Sequence, residues 1–283
     1  MPGAAAGSAM SLREAATVVL LRDGANGLQT WLLRRMPRMA FAAGMSVFPG
    51  GAVDARDGLD ADTTLANIDA GTRDRVLAQA RISAAIAEQL GTTPEHAGRL
   101  ACAAIRETFE EVGILLVRPP AVIEAEHRIA IETRRRSFAD LLGERGLVLD
   151  LDAIRPWARW ITPRSEPRRY DTYFFVAALP QGAAAEAVTS EASHAAWVDV
   201  AEALAEYRRG ERPMLPPTVA TLTEMSGFGT VEQVLVAAAV RRIVAIEPVL
   251  RRDSSGVLVA ELGDGAVLPV PEGYLGAPGS TPR

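Results

Sequence analysis

Arg106-Glu107-Thr108-Phe109-Glu110-Glu111-Val112-Gly113-Ile114 combines three carboxylates with apolar residues and ends at a glycine. On a helix, Glu107, Glu110 and Glu111 stand at i, i+3 and i+4 and share one face within a single turn. The other face, with Ala103, Ala104, Phe109 and Val112, is apolar, so the helix is expected to pack on a sheet. Gly113 stops it, and Ile114–Val117 reads as a buried strand. Three carboxylates this close repel one another. One reading is a solvated acidic face. The other is a site for a hard cation such as Mg²⁺ or Mn²⁺, which a packed helix suits better. Upstream, Phe48-Pro49-Gly50-Gly51 is a turn whose glycines let backbone approach a ligand closely.

Strands and helices are expected on both sides of this segment. Ala15–Arg22 and Gln29–Arg35, joined by Gly24-Ala25-Asn26-Gly27, read as a β-hairpin. Met36–Met45 is a loop, Ser46–Phe48 a short strand, and Ala52–Asp62 an acidic loop. Thr64–Leu90 has the spacing of two helices broken near Gly71, and a further helix starts at Thr93 or Glu95 and runs to Val112. Downstream, Ala121–Gly143 reads as a charged helical stretch, with Arg134-Arg135-Arg136 on a solvated face. Trp157–Ile161, Tyr170–Leu179 and Ala195–Val198 read as strands. Asp199–Arg209, Pro216–Ser226 and Thr230–Ile246 read as helices, and Val257–Leu262 with Ala266–Val270 as a weak hairpin. Helices alternating with strands, together with antiparallel hairpins, give an α/β or α+β class with a mixed sheet. The expected division is a disordered tail over 1–14, a main domain over 15–209 with an insertion at about 58–98, and a C-terminal helical extension with a tail over 210–283.

Composition narrows the chemistry. All 30 basic residues among the 283 are Arg; the chain has no Lys. A Schiff-base lysine, a pyridoxal-phosphate enzyme and a Walker A loop are therefore excluded. Any phosphate must be met by Arg, backbone N–H groups or a metal. The formal net charge of −5 argues against a general nucleic-acid binder. A single cysteine, Cys102, and three scattered histidines, His96, His127 and His194, form no zinc pattern. Cys102 and His194 read as ordinary structural positions. No apolar run reaches the ~20 residues of a membrane span, and Met1–Ser11 lacks a basic leader region. A soluble cytoplasmic protein without membrane or nucleic-acid partners is expected.

The acidic helix and the glycine turn together resemble the box of the Nudix hydrolase superfamily, G-x5-E-x7-R-E-U-x-E-E-x-G-U, where U is apolar. Gly51 matches the first glycine, and Arg106 to Ile114 match the second half, with Thr108 at the first U. Asp57 stands where the box has its first Glu. Between Asp57 and Arg106 lie 48 residues where the box has seven, an insertion of 41. Met39–Asp54, this long insertion, Ala104–Leu116, Trp160-Ile-Thr-Pro163, Arg168–Phe175 and Leu215-Pro-Pro217 are similar to the branch that contains the peroxisomal coenzyme A diphosphatases. The resemblance covers roughly Ala15–Val236. Only part of the additional motif of coenzyme A-acting members is present. Arg35 and Gly44 fall in place, whereas Ala40, Met36 and Leu33 depart from it.

The resemblance implies a Nudix fold, with a mixed sheet sandwiched between helices. It also implies hydrolysis of a nucleoside diphosphate linked to another moiety, with Mg²⁺ or Mn²⁺ as cofactor. Glu107, Glu110 and Glu111 are then metal ligands, any one of which can double as the base, and Arg106 pairs with a box carboxylate. Gly50 and Gly51 shape the substrate turn. Glu191 is a candidate further metal ligand or a surface-loop residue. Arg35 and Arg169 are candidate phosphate contacts or structural ion-pair partners. The favoured substrate is coenzyme A or acyl-CoA, giving 3′,5′-ADP and phosphopantetheine. Alternatives are ADP-ribose, a dinucleotide or a nucleotide sugar, or a non-catalytic Nudix-fold binding module, which the intact glutamates oppose. A homodimer is an open expectation.

Overall fold

Arg13–Gly24 (β1) is buried on both faces along most of its length. Ala16, Val18 and Leu20 enter one core, and Val19 and Leu21 a second core on the opposite side. Cover on both faces explains why Val18–Leu21 is a continuous apolar run and not an alternation. The computed structural model describes residues 12–37, 42–57, 81–186 and 192–271. The expected helix near 64–80, most of the insertion, Glu191 and the N-terminal residues before Leu12 lie outside them.

A hairpin at Gly24–Gly27 joins β1 to β2 (Gly27–Arg35). Short strands β3 (Ser46–Val47) and β4 (Gly50–Ala52) come next in the chain, pairing with β2 and β1 respectively. After them, β5 (Val117–Arg118) and β6 (Val148–Leu149) form a separate two-stranded ribbon. β7 (Ile154–Ile161) and β8 (Tyr170–Ala178) form the second long hairpin of the main sheet. β8 runs parallel to β1 from Arg13/Tyr170 to Leu21/Ala178. β9 (Ala192–Asp199) pairs with β2, and β10 (Ala245–Ile246) with β7. The main path is β10-β7-β8-β1-β2-β3, with parallel and antiparallel neighbours.

Helices cover both faces. Residues 81–90 (α1), Pro94–Val112 (α2), Ala125–Glu132 (α3) and Phe138–Glu144 (α4) pack into the first core, where Leu100, Ile105, Phe109 and Leu141 are buried. Val200–Arg208 (α5), Pro216–Met225 (α6) and Val231–Ala239 (α7) close the second, around Trp157, Leu222 and Val234. The mixed sheet between helices is the expected architecture. α2 starts where the Thr93 side chain accepts the His96 N–H and Pro94 supplies a preset φ, and it stops at Gly113, at φ 75°. Ala97, Ala101 and Ala104 on its buried side bring it close to the sheet.

Several boundaries differ from the sequence reading. Arg13 and Glu14, assigned to the tail, open β1. The strand expected at Ile114–Val117 is paired only at Val117–Arg118, because the chain reaches its partner β6 only there. The Ala121–Gly143 stretch is two helices. Arg134, at φ 58°, breaks the first, and Ser137 caps the second by accepting the Asp140 N–H, so the arginine triplet lies in the connection. The helix expected over Thr230–Ile246 stops at Ala239, since Ala245–Ile246 joins β7. The C-terminal extension also holds an unexpected strand. β11 (Val249–Arg252) adds to β12 (Leu258–Glu261) and β13 (Val267–Pro269), making a three-stranded antiparallel sheet.

Candidate active site

A cleft of about 620 Å³ opens where β4, α2 and the end of α3 meet the main sheet. Gly50, Gly51, Arg106, Glu107, Glu110 and Glu111 all line it. β4 lies close to both α2 and β1 because its first two residues are glycines. A Cβ at Gly51 would stand 2.6 Å from the Glu107 carboxyl carbon, and one at Gly50 would stand 2.5 Å from the Ala16 carbonyl oxygen. The Gly50 N–H donates to Glu111 Oε2 at 2.8 Å. The turn and the acidic helix are therefore one unit.

Arg106 organises the acidic face. It forks onto Asp57, Nε to Oδ1 at 2.7 Å and Nη2 to Oδ2 at 2.9 Å. Its Nη1 donates to Glu107 Oε1 at 2.7 Å and Glu110 Oε1 at 3.0 Å. Its Nη2 also reaches the Ala52 carbonyl at 3.0 Å. Asp57 is 2% exposed and also accepts the Asp54 N–H. The fork therefore clasps the two ends of the long insertion, Asp57 and Arg106, against each other. The box carboxylate expected as Glu is present as the shorter Asp57, and Arg106 spans the distance.

One guanidinium faces three carboxylates, a surplus of two negative charges in a largely buried place. Burial pushes the Glu107 carboxyl up to about 7, against the pull of Arg106 and reinforced by the Glu110 charge. Glu110 is raised for the same leading reason. Among the described residues, no three acidic, His or Cys side chains converge into a closed cation cage. Arg106 and the Gly50 N–H hold carboxylate oxygens of all three glutamates. The donor set nevertheless fits a divalent hard cation, being all carboxylate oxygen.

The other expected residues fall in different places. Arg35 lines the cleft. Arg169 donates to the Thr162 carbonyl at 3.0 Å and pairs with Glu247 at 2.7 Å, so the structure uses it as an ion-pair anchor and not as a cleft residue. Glu191 lies outside the described residues. Cys102 is buried, its thiol pushed up to about 12 by desolvation. Sequence reasoning missed Arg134 and Arg136, which line the same cleft. A signal existed in Ser137-Phe-Ala-Asp140, a helix-start pattern that separates the triplet from the second helix. It also missed Trp160, Phe174 and the C-terminal sheet as cleft walls, for which no local pattern existed.

Residues 8–225 match the family described as the NUDT19 Nudix domain. The chain is 26% identical over 272 residues to acyl-coenzyme A diphosphatase NUDT19 of Homo sapiens, with 85% of this chain and 72% of the human protein covered. Against the Gallus gallus protein of the same name it is 28% identical over 265 residues, covering 77% of this chain and 69% of that one. Among solved structures, a NUDIX hydrolase from Alicyclobacillus acidocaldarius is similar at 27% identity and a TM-score of 0.66, covering 81% of this chain and 97% of that chain.

Proposed function

The chain belongs to the NUDT19 Nudix domain family, and from that premise we propose that it is a coenzyme A or acyl-CoA diphosphatase, with Glu107, Glu110 and Glu111 holding its divalent cation. The observation that carries this is the charge surplus around Arg106, which sits in the same cleft as the glycine turn. The Homo sapiens and Gallus gallus relatives that carry that activity in their names support the substrate class. The cation is Mg²⁺ or Mn²⁺; when bound it neutralises diphosphate oxygens and lowers the pKa of water.

Water attacks one phosphorus of the diphosphate and the bridging P–O bond breaks, giving 3′,5′-ADP and (acyl-)phosphopantetheine. The proton released by water passes to a carboxylate. Glu107, Glu110 and Glu111 all line the cleft, and any one of them left unligated by the cation can take that proton. Arg106 is a positioning residue, because its donors are already engaged by Asp57, Glu107, Glu110 and the Ala52 carbonyl. Gly50 lets the turn close on β1, and Gly51 lets the Glu107 carboxylate lie against it, so the turn and the carboxylates face the substrate together. Arg35 lies on the cleft wall, where its charge offsets phosphate charge.

The test is turnover of coenzyme A, octanoyl-CoA, NADH and ADP-ribose with Mg²⁺ or Mn²⁺. Coenzyme A and octanoyl-CoA are expected as the best substrates, with loss on chelation. Good turnover of ADP-ribose without turnover of coenzyme A overturns the substrate class. Absence of metal-dependent hydrolysis of all four overturns the enzymatic reading.

A further inference from the structure

The cleft is lined by two chemically unlike sets of residues, and the apolar set draws in part on residues that lie beyond the matched segment 8–225. Pro248, Leu250, Ala260 and Val270 come from the segment carrying β11–β13, and all four line the cleft that also contains Glu107 and Glu110. None carries a charge or a hydrogen-bonding side chain. The start of α6 lies there too, with Pro216 and Pro217 at its first positions. A helix N-terminus normally offers N–H groups to an anion, but two prolines remove two of them. This end is therefore poorly equipped for phosphate and well suited to hydrocarbon.

We infer that the three-stranded sheet β11–β13 is the specificity wall of the active-site cleft, forming with the α6 N-terminus an apolar subsite for the non-nucleotide half of the substrate. That half is the pantetheine arm with its thioester-linked hydrocarbon chain. The inference rests on the acyl-CoA reading and adds where that half sits.

The wall is fixed in place. Val259 is 3% exposed, Ala260 1% and Val270 5%. The Tyr207 hydroxyl donates to the Pro269 carbonyl at 3.2 Å, tying β13 to α5. Glu247, just ahead of β11, is held by Arg169 at 2.7 Å and Arg164 at 3.2 Å, tying the sheet to the β7–β8 connection. The cleft volume is in the range of sites for ligands of drug size. A hydrocarbon chain entering it gains at most about fourfold in affinity per methylene buried.

Leu250 is only partly buried, so Leu250→Asp tests the wall without emptying the core, and Leu250→Ala serves as a milder second variant. Two readouts are used: the ratio of kcat/KM for octanoyl-CoA to that for ADP-ribose, and the Kd of octanoyl-phosphopantetheine, measured without metal by calorimetry. The ratio is expected to fall at least tenfold in Leu250→Asp and less in Leu250→Ala, with Kd weakened in the same order. Equal losses on both substrates, or an unchanged Kd, overturn the inference while coenzyme A turnover by the unaltered protein stands. An unaltered protein that does not turn over coenzyme A at all overturns the acyl-CoA reading itself.

Discussion

The acidic end of the cleft and its apolar end are made in opposite ways. The acidic end draws on two short segments, 50–57 and 106–111, in which carboxylate oxygens are held by a guanidinium or an N–H group. The apolar end collects single residues from β7, β8, the start of α6 and the C-terminal sheet, and it is held by packing and a few distant anchors. The acidic end gathers its carboxylates beside the glycine turn. The apolar end has the composition of a surface that discriminates between substrates. Substitutions at the first should therefore alter turnover of every substrate, and those at the second the ratio between substrates.

The largest effect is expected from Glu110→Gln. It should lower kcat at least about 100-fold on all substrates while leaving the melting temperature unchanged or slightly raised, since it removes one of three mutually repelling carboxylates. Full activity in this variant removes Glu110 from the cation site. Gly51→Ala comes next. Its methyl group displaces the Glu107 carboxylate, a flexible side-chain end, so activity should fall about 10- to 100-fold with little loss of stability. Gly50→Ala instead meets the Ala16 carbonyl and the Thr17 backbone, so calorimetry should show it losing stability first.

Asp57→Asn breaks the buried fork to Arg106 and should cost about 3 kcal/mol in chemical denaturation, with a smaller drop in kcat than Glu110→Gln. Cation affinity should also depend on pH. Burial raises Glu107 to about 7 in the metal-free protein, and a cation needs the ionised form. Mg²⁺ affinity measured by calorimetry should therefore weaken as pH falls below about 7 and level off above it. In Glu107→Gln this dependence should flatten. The smallest effect is expected from Arg169→Gln, which loosens the Glu247 anchor. It should raise KM for octanoyl-CoA by about two- to fivefold more than for ADP-ribose. An equal rise for both would instead return Arg169 to a phosphate-contact role.

The legibility of the two ends in the sequence reflects their construction. Glu107, Glu110 and Glu111 are four residues apart at most, and a helix period alone puts them on one face. The limits of α2 were equally local, set by Thr93, Pro94 and Gly113. β1 and β2 were visible because their apolar runs are long and the turn between them carries glycines. The arginine triplet was misplaced because its charge pattern suits a helix surface, while the chain turns left-handed at Arg134 and restarts as a helix only at the Ser137 cap. Arg169 was ambiguous because an arginine next to a strand gives no sign of its partner. That partner, Glu247, is 78 residues away. β11, with only Val249-Leu250-Arg251-Arg252, has too short a pattern to stand as a strand without the neighbour β12.

By itself, the sequence determined which chemistry is open to this protein. The absence of lysine removed whole classes of phosphate enzyme, and the spacing of three glutamates before Gly113 put three carboxylates on one helix face, because helix geometry acts over a few residues and needs no partner. Only the tertiary structure decided how that face is completed and bounded. Arg106 finds Asp57 across a long insertion, Gly51 yields its side-chain space to Glu107, and a C-terminal sheet reaches the far wall of the cleft. These depend on contacts between residues far apart in the chain, whose pairing is set by burial and close packing and leaves no periodic trace in the sequence.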